Sequence, residues 1–259
     1  MAQLPTIVLG LLIVPLVVLV AVAGAAVVQR RVPVEVRKSH TTGLGQIQGA
    51  LGAMFGVIIG FSAFLVLNKQ HTAIQTVQTE AADVVEIYRL ANPLPEAKQE
   101  PVQRIDASYA RVVVKEEWPL MRQGRSSPRA DALIKELRER IQEGYKTSTG
   151  TEQQFFGDQL GVMDDLETDR VARLVILRQQ LPYLLWISLI VLAILLIGFS
   201  YMIGMESSLL HLLAIGAMAF GIALVLFTIA ELDRPFASNP PVSPEPFELV
   251  LNEMEAGGG

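Results

Sequence analysis

Apolar and polar positions along the chain alternate in long blocks, not residue by residue. Four blocks, residues 4–28, 45–67, 182–204 and 209–230, contain no Asp, Glu, Lys or Arg. A hydrocarbon layer about 30 Å thick takes roughly 20 helical residues to cross, and each block is long enough. The pattern predicts four transmembrane helices in two hairpins, with a polar segment of helical periodicity between them.

In that segment, Ile74, Val77, Ala81, Val84 and Tyr88 recur at helical spacing opposite Thr72, Gln75, Thr79, Asp83 and Glu86. Neither Pro nor Gly separates this stripe from the second span, so one long helix is expected to leave the bilayer and continue. Asn92-Pro93-Leu94-Pro95 ends it. A second helix is expected over 101–117, a third over 131–142, and a fourth over 151–180 that feeds into the third span, with Pro182 at the junction. The tail holds Pro235, Pro240, Pro241, Pro244 and Pro246, and reads as extended before a short helix at 247–254. The fold class is all-α, with a helical extramembrane bundle between two transmembrane hairpins. The division is 1–67 first hairpin, 68–180 extramembrane domain, 181–231 second hairpin and 232–259 Pro-rich tail.

Composition changes this picture little. Mean hydropathy is +0.40, and 51% of residues are hydrophobic against 18% charged. A net charge of −5 without basic clustering argues against nucleic acid as a partner. With no cysteine, disulfides, thiolate metal sites and cysteine nucleophiles are excluded. The first span lacks the basic start and short apolar core of a signal peptide and reads as a retained helix. Basic residues flank the spans on both sides: Arg30, Arg31, Arg37 and Lys38 in the expected first loop, and Lys69, Arg170, Arg173, Arg178 and Arg234 on the other side. The charge rule for orientation is close to a tie.

The second span carries the most informative pattern. Gly45, Gly49, Gly52, Gly56, Gly60 and Ala63 form a strip without side chains along one face, which lets another helix approach closely. The opposite face carries Met54, Ile58, Phe61 and Leu65, with Asn68 just beyond. Two readings stand side by side. The helix is either the packed core of one protomer, or it sits in a ring of protomers with one face packing and the other lining a hydrophobic pore that gates by dewetting.

Chemistry-bearing motifs are sparse. His40, His71 and His211 have no metal-ligand spacing, and His211 reads as an interfacial residue. There is no phosphate loop, nucleophile elbow or dinucleotide fingerprint. Asp158, Asp164, Asp165, Glu167 and Asp169 lack the order of a calcium loop and read as a solvated face. Glu116-Glu117-Trp118-Pro119 reads as a helix end with an aromatic anchor. Glu231, Asp233 and Arg234, at the exit of the last span, read as a structural clasp for the tail. No metal, cofactor or enzymatic activity is expected.

An ordered set of segments resembles the bestrophin-like family of bacterial and plant membrane proteins. It comprises Gly60-Phe61-Ser62-Ala63, Glu80-Ala81 through Tyr88-Arg89, Tyr109 with Glu117-Trp118-Pro119, and Leu181-Pro182 to Trp186. Leu232-Asp233-Arg234-Pro235-Phe236 and Val242-Ser243-Pro244-Glu245-Pro246 complete it. The family is remotely similar to bestrophins, which are pentameric anion channels with a cytosolic helical part and a pore lined by the second span. The resemblance implies a homo-oligomer in the bacterial inner membrane, with lipid, identical subunits and inorganic ions (chloride favoured) as partners. It also implies a cytoplasmic middle domain and a neck at Ile58, Phe61 and Leu65. A calcium clasp has no counterpart in the short tail. The alternative is a non-conducting membrane scaffold whose helical domain recruits a cytosolic partner. A secondary transporter or an intramembrane enzyme would need charged or catalytic groups that the spans lack.

Overall fold

The computed structural model describes residues 6–257, so Leu4 and Pro5 of the expected first span lie outside the described residues. Among the described residues the chain is helical and contains no strand. Four of its helices are long and apolar enough to cross a membrane, as the block pattern predicts. The chain divides into two compact units.

Unit 1 comprises the residues up to Asn68 together with Gln180–Asp233. It holds α1 (Thr6–Arg31), the first part of α2 (Val34–Ala91), α7 (Tyr183–Tyr201) and α8 (Ser208–Leu232). The expected first loop over 29–44 is mostly helix: α1 ends at Arg31 and α2 begins at Val34. No Pro or Gly interrupts the chain from Val34 until Gly43, and Glu35 in the first turn favours the helix dipole. α1 and α8 meet along small residues, with Ala21, Ala25, Ala219 and Ile215 buried together. α7 packs Leu189, Leu192, Ala193 and Leu196 around Phe55 of α2. The outward faces remain apolar and exposed, including Leu11, Leu12, Leu19, Leu184, Ile194 and Leu213. Lipid-facing helices need no polar outer face, because their backbone groups are bonded internally.

Two details of unit 1 follow from single residues. The expected direct run from the fourth extramembrane helix into the third span is broken: α6 ends at Arg178 and α7 starts at Tyr183. Pro182 has no N–H and disfavours helical backbone at Leu181. The Leu181 N–H is instead held by both carboxylate oxygens of Asp233, each at 3.1 Å. Gly204 is the second case. A Cβ there would stand 2.5 Å from the Lys38 backbone nitrogen, so the α7–α8 loop lies against α2 only because the side chain is absent.

Unit 2 comprises Lys69–Gln179 and the residues from Arg234 on. It holds the rest of α2, α3 (Glu96–Val112), α4 (Trp118–Met121), α5 (Pro128–Thr147), α6 (Gly150–Arg178) and α9 (Glu245–Gly257). α2 runs without a break for 58 residues, so the expected single long helix is present. Val77, Ala81 and Val84 are buried as the stripe requires, but Ala73 and Ile87 complete it, and Ile74 is exposed. α5 is capped by Ser127, whose hydroxyl accepts from the Ala130 N–H at 3.4 Å, with Pro128 opening the helix. The Pro-rich stretch and α9 lay Phe236, Val242, Phe247, Val250 and Met254 into the same core as Trp118. The Trp118 indole N–H donates to the Val242 carbonyl at 3.1 Å.

A wide π-helical turn, Val113–Glu117, joins α3 to α4. Asp106 on α3 is fully buried, and neither of its carboxylate oxygens has a hydrogen-bond partner among the described residues. Burial alone pushes its carboxyl well above the ordinary value.

Two predictions concern this core. In the Gly144→Ala variant the new Cβ falls 2.3 Å from the Phe156 ring, between α5 and α6. Thermal unfolding should register a loss of about 1–3 kcal/mol, the usual cost of overpacking. For Asp106 the folded pKa lies above the unfolded one, so its contribution to stability falls as pH rises above the ordinary carboxylate range. Asp106→Asn should therefore gain on the wild type in melting temperature as pH rises above the unfolded carboxylate value of about 4. Parallel pH profiles for the two proteins would contradict this.

Candidate functional site

α2 presents three different faces in unit 1. Gln48, Leu51, Phe55, Ile59, Ser62 and Val66 lie on one side, because each residue turns the helix by about 100°. This side packs on α7 and α8 through Phe55, Leu51, Ile58 and Ile59. The Ser62 hydroxyl donates back to the Ile58 carbonyl at 2.9 Å, and the Gln48 amide donates to the Ser200 hydroxyl at 2.6 Å.

The glycine strip lies to one flank of this packed side. A Cβ added at Gly45, Gly49, Gly56 or Gly60 would meet nothing within 4 Å, and one at Gly52 would only touch Leu196 at 3.9 Å. Within the protomer the small-residue seam is therefore between α1 and α8, and the α2 glycines lie open. The other flank carries the expected pore residues. Met54 and Phe61 are 56% and 53% exposed, and Asn68 is exposed as well. Leu65 is half-buried, and Ile58 is shared with the Phe55 cluster. Val57 and Phe64, between the two flanks, are also exposed and were not singled out by the sequence pattern.

Of the exit residues, Asp233 is buried on the Leu181 N–H, and Glu231 is half-buried. The Arg234 side chain is exposed, while its carbonyl accepts from Ala237 and Ser238. His71 is exposed. The His40 side chain lies outside the described residues. His211, in the first turn of α8, is 3% exposed, its Nε2 lies 3.0 Å from the Ser200 carbonyl, and its Nδ1 faces Gln29 and Arg37.

The most highly charged interior belongs to unit 2. Arg170 and Arg173, which sequence reading counted only as charges flanking a span, are buried there. Arg173 holds Glu80 through Nε and Nη2, and its Nη2 also donates to Glu117 at 2.9 Å. Arg170 grips both oxygens of Glu117 at 2.7 and 2.9 Å and reaches Asp131 at 2.6 Å. The Tyr109 hydroxyl donates to Glu80 and accepts from Arg170 at 3.3 Å. The Arg173 guanidinium lies 5.6 Å from the centre of the Trp118 ring. Burial pushes the Glu117 carboxyl up, but Arg173, Arg170 and the Ser127 N–H outweigh it and hold it below the ordinary value. The only hint of this cluster in the sequence was that Glu80, Tyr109, Glu117 and Trp118 all belong to the segments carrying the family resemblance. At the surface, Asp164 and Glu167 of the acidic run hold Arg138.

Comparison with known proteins places this architecture. The family model for the bestrophin-like domain matches residues 16–247. No curated protein matches the chain. Among solved structures, a substituted form of a bacterial bestrophin homologue from Klebsiella pneumoniae superposes with a TM-score of 0.71 at 11% identity, covering 95% of this chain and 99% of that one. Another structure of a Klebsiella pneumoniae bestrophin homologue gives 0.65 at 11%, covering 93% and 95%. A structure described as a membrane protein gives 0.67 at 12%, covering 94% and 96%. At such identities the likeness is one of fold.

The buried cluster makes a specific prediction. Glu117→Gln removes one of the two buried carboxylates that face the two buried guanidinium groups and should cost about 3–5 kcal/mol in thermal unfolding. Because the folded pKa of Glu117 is lowered, its contribution is present above the unfolded value near 4 and lost as pH falls through the folded one. The wild type should lose stability on acidification over that range, and the variant should lose less.

Proposed function

The chain belongs to the bestrophin-like family, and we propose that it is a homo-oligomeric ion channel, favouring anions, whose α2 helices surround a hydrophobic neck. The observation that carries this reading is the uncovered state of both α2 flanks. A row of glycines with open space at the Cβ positions faces one way, and Met54 and Phe61 face the other. In a ring of copies the glycine flank accepts a neighbouring helix, since close backbone approach is the main source of helix association in lipid. The Met54, Ile58, Phe61, Leu65 and Asn68 flank then turns inward, and bulky apolar groups there form a constriction that gates by dewetting. Glu231, Asp233 and Arg234 serve as structure at the membrane exit, with Asp233 fixing the start of α7.

The resemblance to bestrophins implies five subunits, with the termini and unit 2 in the cytoplasm of a bacterial inner membrane. In this reading permeation is passive and unit 2 assembles the ring.

Flux through purified protein in liposomes, chloride against potassium, tests the proposal with Phe61→Ala in parallel. Wild-type chloride flux should exceed potassium flux. Removing the phenyl ring should raise the flux or alter its selectivity while the oligomer stays intact. Absence of flux from both proteins, with intact oligomers, would favour a scaffold that recruits a cytosolic partner.

A further inference from the structure

Three arginines in the described residues are buried to 5% exposure or less: Arg37, Arg170 and Arg173. Two of them are matched to carboxylates. Arg173 uses its Nε and Nη2 edge, the pair of parallel donors, to hold the two oxygens of Glu80. Arg170 holds Glu117 through Nη1 and Nη2. At the surface, Arg138 fills the Nε and Nη2 edge with Glu167 and Asp164, and Arg89 fills it with Glu253.

Arg37 is different. It lies in the first turn of α2 in unit 1, near the end of α1 and the α7–α8 loop. Its Nη1 donates to His211 Nδ1 at 3.3 Å and to the Ile203 carbonyl at 3.5 Å. Nε is cut off from solvent and donates to nothing, and Nη2 makes no hydrogen bond among the described residues. No carboxylate forms an ion pair with Arg37 among the described residues. Glu35, two residues away in the chain, is exposed, and Glu206 of the α7–α8 loop is held by Lys38 at 3.0 Å.

His211 offers no negative charge either. The Ser200 carbonyl can only accept, so Nε2, at 3.0 Å, carries the proton and Nδ1 is the lone pair that receives Arg37 and Gln29. A buried guanidinium with only neutral partners is costly, and buried charges are ordinarily paired. Its unpartnered Nε and Nη2 edge carries the parallel donors that bind two oxygens of one anion.

We infer that the free Nε and Nη2 edge of Arg37 is an oxyanion-binding site, filled either by a free inorganic oxyanion or by the phosphate of an anionic lipid. Arg30, Arg31 and Lys38, all in the adjoining turns of α1 and α2 and all exposed, add positive potential around it. The site is separate from the proposed neck and does not depend on the channel reading, because binding is read without flux.

The test is thermal unfolding of the full chain in phosphatidylcholine nanodiscs, with inorganic phosphate replacing chloride at constant ionic strength. A second arm adds phosphatidylglycerol to the nanodiscs without phosphate. Wild type should gain roughly 2–4 °C at about ten times the dissociation constant in one arm or both. A gain with phosphate identifies a free oxyanion, and a gain only with phosphatidylglycerol identifies the lipid headgroup. Arg37→Gln should abolish the gain, Arg37→Lys should keep only part of it, and Lys38→Gln should leave most of it. No gain in either arm for wild type would overturn the site, whatever the variants do. An equal gain in Arg37→Gln would overturn it too. So would a change of oligomer size in that variant with wild-type anion response, since a carboxylate of a second copy would then be the partner.

Discussion

Glu80, Glu117, Arg170 and Arg173 are buried together in unit 2, and the surrounding helices are arranged so that all four find partners. Full charges in an interior are tolerable only when each is paired and its remaining donors and acceptors are satisfied. That requirement ties α2, which brings Glu80, to α6, which brings both arginines, and to the π-helical turn, which brings Glu117. Tyr109 on α3 and Ser127 at the head of α5 supply further hydrogen bonds. Trp118 follows Glu117 directly, stands over Arg173, and packs edge-on against Phe236 at 5.9 Å. The Pro-rich stretch is thus joined to the charged cluster through one aromatic side chain.

The residues carrying the family resemblance gain a physical meaning from this. Glu80, Tyr109, Glu117, Trp118 and Phe236 are far apart in the chain and form one contiguous interior. Replacing any of them leaves a buried charge, a buried polar group or an aromatic gap, which restricts the residue types such positions accept. Arg170 and Arg173 belong to the same interior, although in the sequence they look like any basic residues near a span.

Unit 1 obeys a different rule. Lipid does not reward burial of apolar side chains, so its helices are held by close approach and a few polar contacts. Ala21, Ala25 and Ala219 provide the approach between α1 and α8. Asp233 on the Leu181 N–H and the cluster of Arg37, His211 and Gln29 provide polar contacts near the ends of the helices. The open glycine row of α2 is the same kind of surface left without a neighbour inside the protomer.

The sequence by itself determined the four spans, the single long α2, the all-α class and the order of the helices. These follow from local properties: uninterrupted apolar length, helical periodicity, and the places where Pro forbids a backbone hydrogen bond. Pro182 stopped α6 short of α7, an effect readable in kind but not in extent. Boundaries such as the two-residue link between α1 and α2 were harder to read, because polar residues 34–44 suit helix and loop alike. Only the tertiary structure decided which charges are buried. Among the described residues, it paired Arg170 and Arg173 with Glu80 and Glu117, left Arg37 without a carboxylate and Asp106 without a donor, and turned His211 inward. It also showed that Ile58 is shared with the protomer core while Met54 and Phe61 are not. Pairing is a property of positions distant in the chain, and nothing in the local pattern of a helix specifies which neighbour will face it.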